Sequence, residues 1–96
     1  MKENKFQSDL IKELKSMFEG CIVTKLDSAH IQGIPDLLIL YGNKWATLEC
    51  KKSLKASLRP NQQYYVDLMN SMSFSRIICP ENKEDVLHAL QRSFKA

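Results

Sequence analysis

Two apolar segments joined by a Gly-Asn pair constrain the fold of this chain most. Residues 36–41 read Asp-Leu-Leu-Ile-Leu-Tyr, and residues 44–51 read Lys-Trp-Ala-Thr-Leu-Glu-Cys-Lys. Runs of this kind are typical of strands, and Gly42-Asn43 between them favours a two-residue turn. The sequence therefore predicts a β-hairpin. Its first strand is apolar at almost every position, which predicts a central hairpin covered on both faces.

Helical and strand patterns flank the hairpin. Residues 5–19 repeat apolar side chains at helical spacing before Gly20, and residues 21–26 favour a strand. Beyond the hairpin, Pro60 can occupy the first turn of a helix that runs to Met69. A strand over 74–79 and a last helix through Phe94 complete the pattern. The predicted order is helix, three strands, helix, strand, helix, an α/β arrangement.

Size and composition narrow the class of protein. The chain has 96 residues, of which 44% are hydrophobic, so we expect a single domain over residues 1–96 with a small core. Self-association would add buried surface, and a homodimer is expected. Three widely spaced cysteines predict neither a disulfide framework nor a zinc site. With no apolar leader and no bilayer-length stretch, the sequence predicts a cytoplasmic protein without a membrane partner or an organic cofactor.

The hairpin register places charged side chains together. Side chains alternate across a strand, so Glu49 and Lys51 project to one face. If the turn has two residues, Tyr41 faces Lys44 and Asp36 falls opposite Glu49, with Cβ atoms roughly 5 Å apart. A three-residue loop would break this register. Two carboxylates this close repel each other, and a divalent cation bound between them would relieve the repulsion.

Such a group is suited to phosphodiester hydrolysis. A cation held by Asp36 and Glu49 can polarise a phosphoryl oxygen and lower the pKa of a bound water. Lys51 can orient that water or stabilise the charge that develops at phosphorus. The alternative is a small structural protein in which Glu49 and Lys51 form an exposed ion pair.

These residues carry a family resemblance. The run Gly33 to Asp36, twelve intervening residues and then Glu49-Cys50-Lys51 resembles the signature of the PD-(D/E)XK nuclease superfamily. Together with the run Arg59 to Gln62, it resembles the stand-alone VRR-NUC branch, which bacteriophages often carry. The resemblance implies a restriction-endonuclease-like α-β-β-β-α-β core with a mixed sheet and a C-terminal helix. It also implies Mg²⁺ or Mn²⁺, DNA as substrate, including branched or four-way junction DNA, and the host cytoplasm for a phage protein.

Members of the superfamily often add an acidic residue from the first helix. Here Glu3, Glu13 and Glu19 compete for that role, and Glu3 lies nearest the centre of the apolar stripe at 100° per residue. Glu3 is our choice, and the alternative is that it serves only as a charge favourable to the helix N-terminus. Gln7, one turn later, could position Glu3 or contact DNA.

Further site residues follow from the same resemblance. Gln62 matches the glutamine that VRR-NUC-like proteins place at the start of the helix after the motif strand, although Gln63 competes with it. The main-chain carbonyl of Cys50 is implied as a metal ligand beside Asp36 and Glu49.

A basic segment follows the motif strand. Lys52, Lys55 and Arg59 concentrate positive charge beside the predicted site, where they could contact the phosphates of DNA. His30, in the loop before the motif, is a further candidate for DNA contact. A protein of the same fold that binds DNA without cleaving it is the main alternative to a nuclease.

Overall fold

The computed structural model describes residues 3–96, with side chains from residue 4 onward. Its helices and strands follow one another as α1 (Glu3–Met17), β1 (Ile22–Lys25), β2 (Leu37–Tyr41), β3 (Lys44–Cys50), α2 (Gln62–Met72), β4 (Ser75–Ile78) and α3 (Lys83–Phe94). The predicted order of elements is confirmed. Within these residues, no helix has both the length and the apolar character needed to cross a membrane.

The described strands form one mixed sheet in the order β1-β2-β3-β4. The pairs β1–β2 and β2–β3 are antiparallel, and β3 pairs with β4 in parallel. Tyr41 faces Lys44 across the turn, and Leu37 faces Leu48 at the other end of the hairpin. Gly42 has φ +62°, a conformation that glycine adopts without a steric penalty. The predicted two-residue turn and its register are therefore confirmed.

One face of the sheet packs against α1 and α3. The buried side chains that build this core are Phe6, Leu10, Leu14, Phe18, Leu37, Ile39, Ala46, Leu48, Cys50, Phe74, Ile78, Val86, Leu87, Leu90 and Phe94. The rings of Phe18, Tyr41 and Phe94 lie within 5.6 Å of one another, centroid to centroid. Because side chains alternate along β3, burying Leu48 and Cys50 in this core sends Thr47 and Glu49 to the opposite face.

The opposite face is only partly covered. Helix α2 packs over β3 and β4, where Thr47 and Ser75 are buried with 2.8 Å between their hydroxyl oxygens. On the half of this face that α2 does not cover, Leu40 on β2 remains 40% exposed and Ile22 on β1 59% exposed. The expectation of a hairpin covered on both faces is therefore correct for β3 and wrong for β2, because α2 lies over the β3–β4 half of the sheet.

The start of α2 also differs from the prediction. Pro60 lies before the helix in a turn closed by the Gln62 N–H, which donates to the Arg59 carbonyl with an N···O distance of 3.2 Å. Asn61 has φ 70° and ψ −4°. These angles belong to the third residue of a type II turn, in which proline favours the second position and asparagine tolerates the third. The turn delays the helix to Gln62.

Candidate active site

The predicted carboxylates meet at one end of the hairpin. Asp36 directly precedes β2, one residue beyond the Leu37–Leu48 pair. The register of the hairpin therefore places it opposite Glu49. The Cys50 N–H donates to the Asp36 carboxylate, with 2.9 Å between N and Oδ2. In this way the Asp36 side chain closes the hairpin, and one of its oxygens is held against the end of β3.

Glu49 and Lys51 are deeply buried at the same end of β3. Glu49 is 1% exposed and Lys51 6% exposed, and 3.8 Å separates Lys51 Nζ from Glu49 Oε2. The hypothesis that Glu49 and Lys51 form an exposed ion pair is therefore wrong, because both side chains are buried. Charges removed from water require compensation by partners, and such pairs add little net stability. Their burial calls for an explanation other than solubility or folding.

Gln62 connects α2 to Glu49. Its amide Nε2 donates to Glu49 Oε2 at 3.1 Å, and its Oε1 accepts the Arg59 N–H at 2.7 Å. Gln63 points elsewhere, with its amide donating to Asp67 Oδ1 at 2.8 Å on the exposed side of α2. Of the two glutamines, the structure brings Gln62, the predicted one, into contact with a predicted site carboxylate.

These side chains open into a cleft of about 320 Å³. The residues that line it are Ser28, Gln32, Gly33, Ile34, Asp36, Glu49, Lys51, Arg59, Pro60 and Gln62. The sequence did not single out Ser28 and Gln32, which come from the loop before the motif. Their one available signal was proximity to Gly33, because a polar loop carries no periodicity that assigns its side chains to a face.

Gly33 explains how that loop forms a wall of the cleft. It has φ +90°, and a Cβ added there would lie 2.6 Å from Asn61 Cβ and 2.8 Å from the Pro60 carbonyl oxygen. Only glycine at position 33 therefore allows the loop before β2 to lie this close to the turn before α2. Glycine serves here for both its backbone conformation and its lack of a side chain.

The predicted basic residues border the cleft. A neighbouring concavity of about 410 Å³ is lined by Lys51, Lys52, Lys55, Ala56, Ser57 and Arg59. Lys51 and Arg59 line both spaces, so the two lie next to each other. The structure thus gathers Lys52, Lys55 and Arg59 beside the buried Lys51.

Two other predicted site residues, Gln7 and His30, do not line the cleft. Gln7 is half-buried on α1, and His30 is exposed in the loop before β2; neither is among the described residues that line the cleft. Glu13 is engaged elsewhere, with its Oε1 2.9 Å from Lys83 Nζ. Helix α1 begins at Glu3, but the Glu3 side chain lies outside the described residues.

The metal-binding capacity of the site rests on a small donor set. Within residues 4–96, no cluster of three or more His, Cys, Asp and Glu side chains is placed to hold a metal ion. Asp36 and Glu49 supply two carboxylates on one wall of the cleft. Oxygen donors of this kind suit hard divalent cations such as Mg²⁺.

Comparisons with known proteins bear on the fold. No family model matches the chain, and no curated protein matches it. Among solved structures, it is similar to Archaeoglobus fulgidus Hjc, a Holliday junction resolvase from an archaeal hyperthermophile, with a TM-score of 0.52 and 17% sequence identity. The match covers 79% of this chain and 67% of the resolvase. The chain therefore has a small α/β fold of the restriction-endonuclease type, as its sequence predicts.

Proposed function

We propose that residues 1–96 form one VRR-NUC-like nuclease domain that hydrolyses phosphodiester bonds in DNA with a divalent metal ion. The observation that carries this proposal is the convergence of Asp36 with the buried Glu49 and Lys51 in one cleft bordered by basic residues. A binding surface alone has no use for carboxylates aimed at a polyanion. Charged side chains buried together in a cleft are frequent in catalytic sites.

The donor set fits Mg²⁺ or Mn²⁺. Asp36 and Glu49 would supply carboxylate oxygens. In an extended strand the N–H and C=O of one residue point to the same neighbour, so the Cys50 carbonyl is expected on the Asp36 side and could add a third oxygen. Glu3 remains a proposed further ligand. When bound, the cation would polarise a phosphoryl oxygen and lower the pKa of a coordinated water.

The protein's own side chains would orient and stabilise the reacting group. Lys51 holds an ammonium group in a region from which water is largely excluded, where a positive charge interacts strongly with a phosphate that gains negative charge. Gln62 would keep the Glu49 carboxylate in position through its 3.1 Å hydrogen bond. Lys52, Lys55 and Arg59 would bind flanking phosphates and so align the scissile bond.

Branched DNA, including four-way junctions, is the substrate class we favour. The fold similarity is to a protein described as a Holliday junction resolvase. A homodimer would present two clefts related by a two-fold axis, which suits a junction cut on two strands. Gln7 and His30 are proposed as additional contacts to DNA outside the cleft.

The test is a cleavage panel with the purified full chain. Supercoiled plasmid, linear duplex and four-way junction are incubated with Mg²⁺, Mn²⁺ or a chelator. We expect cleavage with metal, none with chelator, and a loss of at least about 100-fold for Asp36→Asn and for Lys51→Met. Lys12→Met, at an exposed position of α1, is the matched control, and circular dichroism checks that each variant folds.

Two outcomes would contradict the proposal. Unchanged cleavage by Asp36→Asn and Lys51→Met would remove the assigned site. Tight DNA binding without cleavage under any metal condition would favour a binding module of the same fold.

A further inference from the structure

The loop between β3 and α2, which borders the candidate site, exposes two leucines. Leu54 is 65% exposed and Leu58 is 38% exposed. Single apolar side chains on a protein surface are ordinary. These two, however, share the eleven-residue loop 51–61 with Lys52, Lys55 and Arg59, the residues that border the cleft. A cationic loop that carries exposed aliphatic side chains calls for a partner that is both anionic and partly apolar.

The loop backbone is held at several points. The Leu54 N–H donates to Glu81 Oε2 at 3.3 Å, and the Arg59 N–H donates to Gln62 Oε1 at 2.7 Å. Hydrogen bonds from two main-chain N–H groups lower the pKa of the Glu81 carboxyl, and that of Glu81 itself has a larger effect than that of Leu54. The Glu81 carboxylate is therefore ionised at neutral pH. A loop held near both ends presents its leucines with less entropy to lose on binding.

Nucleic acid is the partner that fits this combination of charge and apolar surface. Lysine and arginine side chains bind phosphates, whereas aliphatic side chains on DNA-binding proteins enter between bases and unstack them. Opening an intact stack costs a few kcal/mol, and the cost is least where stacking is already broken. Exposed leucines beside a phosphate-binding surface would therefore favour DNA with a broken base stack over continuous duplex DNA.

We propose that Leu54 and Leu58 form a wedge that enters a disrupted base stack, so that the cleft acts on DNA with a branch, flap or gap. The inference rests on the proposed nuclease function and deepens it by naming the feature that selects the substrate. The cations of the loop hold the backbone on either side, and the leucines enter between the bases at the break and separate them.

The experiment places 2-aminopurine at the branch point of a four-way junction, because this base fluoresces more strongly when it leaves the stack. The full chain is added with Ca²⁺ in place of Mg²⁺ to separate binding from cleavage. We expect a fluorescence rise with the unaltered protein that Leu54→Ser/Leu58→Ser abolishes. Ile22→Ser, at an exposed position on β1, is the matched control and should keep the rise.

Cleavage rates with Mg²⁺ supply a second measurement. The double variant should lose about tenfold or more of its preference for branched over continuous DNA, because serine buries much less apolar surface against the bases than leucine does. Its rate on continuous duplex should remain unchanged. An unaltered fluorescence rise and an unaltered preference in the double variant would overturn the wedge, as would an equal loss in Ile22→Ser.

The two proposals can fail independently. A leucine-dependent fluorescence rise without cleavage of any DNA would support the wedge and contradict the nuclease. Metal-dependent cleavage with no leucine-dependent rise would contradict the wedge alone. Self-association that the double variant loses, without any change in fluorescence, would assign the leucines to a protein interface and overturn the wedge.

Discussion

The Cys50 N–H donates to the Asp36 carboxylate, and the 2.9 Å bond joins the end of β3 to the residue that precedes β2. Strand pairing ends at Leu37 and Leu48, so this side chain continues the hydrogen bonding where the β2 backbone stops. This bond thereby orients the Asp36 carboxylate beside Glu49. Such orientation is what a metal or catalytic site requires of its supporting bonds.

Gln62 is expected to act through Glu49. Gln62→Met keeps a side chain of similar length but removes the amide that donates to Glu49 Oε2. We expect activity at limiting Mg²⁺ to fall about 10–100-fold and the Mg²⁺ midpoint to rise, the usual result of losing a residue that orients a metal ligand. Single-turnover rates over a Mg²⁺ titration measure both. Gln63→Met is the control, and an unchanged midpoint for Gln62→Met would argue against this role.

The free-energy cost of adding a side chain at the close approach of Gly33 can be measured separately from the cost of its backbone conformation. Gly20 has φ +85°, similar to the +90° of Gly33, but an added Cβ at Gly20 meets no described atom within 4 Å. Gly20→Ala should cost about 1 kcal/mol from backbone strain. Gly33→Ala should cost a further 1–3 kcal/mol, roughly, because the loop must move away from Asn61. Urea unfolding measures the difference, and equal losses in the two variants would contradict the close approach.

Binding to DNA should depend on salt through the basic loop. Lys55→Gln removes one exposed charge beside the cleft. If Lys55 contacts a phosphate, the slope of log K against log salt should fall by about 0.9. Lys12→Gln, on α1, removes the same charge from a surface away from the cleft and should leave the slope unaltered. Equilibrium titrations between low and physiological salt measure the slope for both variants and for the unaltered protein. Equal slopes for Lys55→Gln and the unaltered protein would exclude a phosphate contact by Lys55.

A buried hydroxyl pair should stabilise the sheet beneath α2. The Thr47 hydroxyl donates to the Ser75 hydroxyl oxygen at 2.8 Å, and both residues are inaccessible to solvent. Thr47→Val should cost about 1–3 kcal/mol, because the Ser75 hydroxyl loses its buried partner. The double variant Thr47→Val/Ser75→Ala should lose less free energy of unfolding than the sum of the two single variants. Strict additivity in the double-mutant cycle would show that the hydroxyls are not coupled.

Local patterns account for the part of the site that the sequence predicted. The Gly42-Asn43 turn and side-chain alternation were enough to align Asp36 with Glu49, because both depend on residues close in the chain. The exposure of Leu40 and the late start of α2 were not predicted. The first depends on where α2 packs, and the second on a type II turn at Pro60 and Asn61.

The sequence by itself therefore determined the order of elements, the hairpin register and the pairing of two carboxylates with Lys51 on one face. Tertiary structure alone decided the burial of that group and the identity of its partner. Glu49 meets Gln62, thirteen residues away, because α2 packs over β3 and β4 and its preceding turn aims this glutamine, not Gln63, at the strand. Contacts across such a separation arise from the packing of whole elements, which hydrophobic periodicity does not specify.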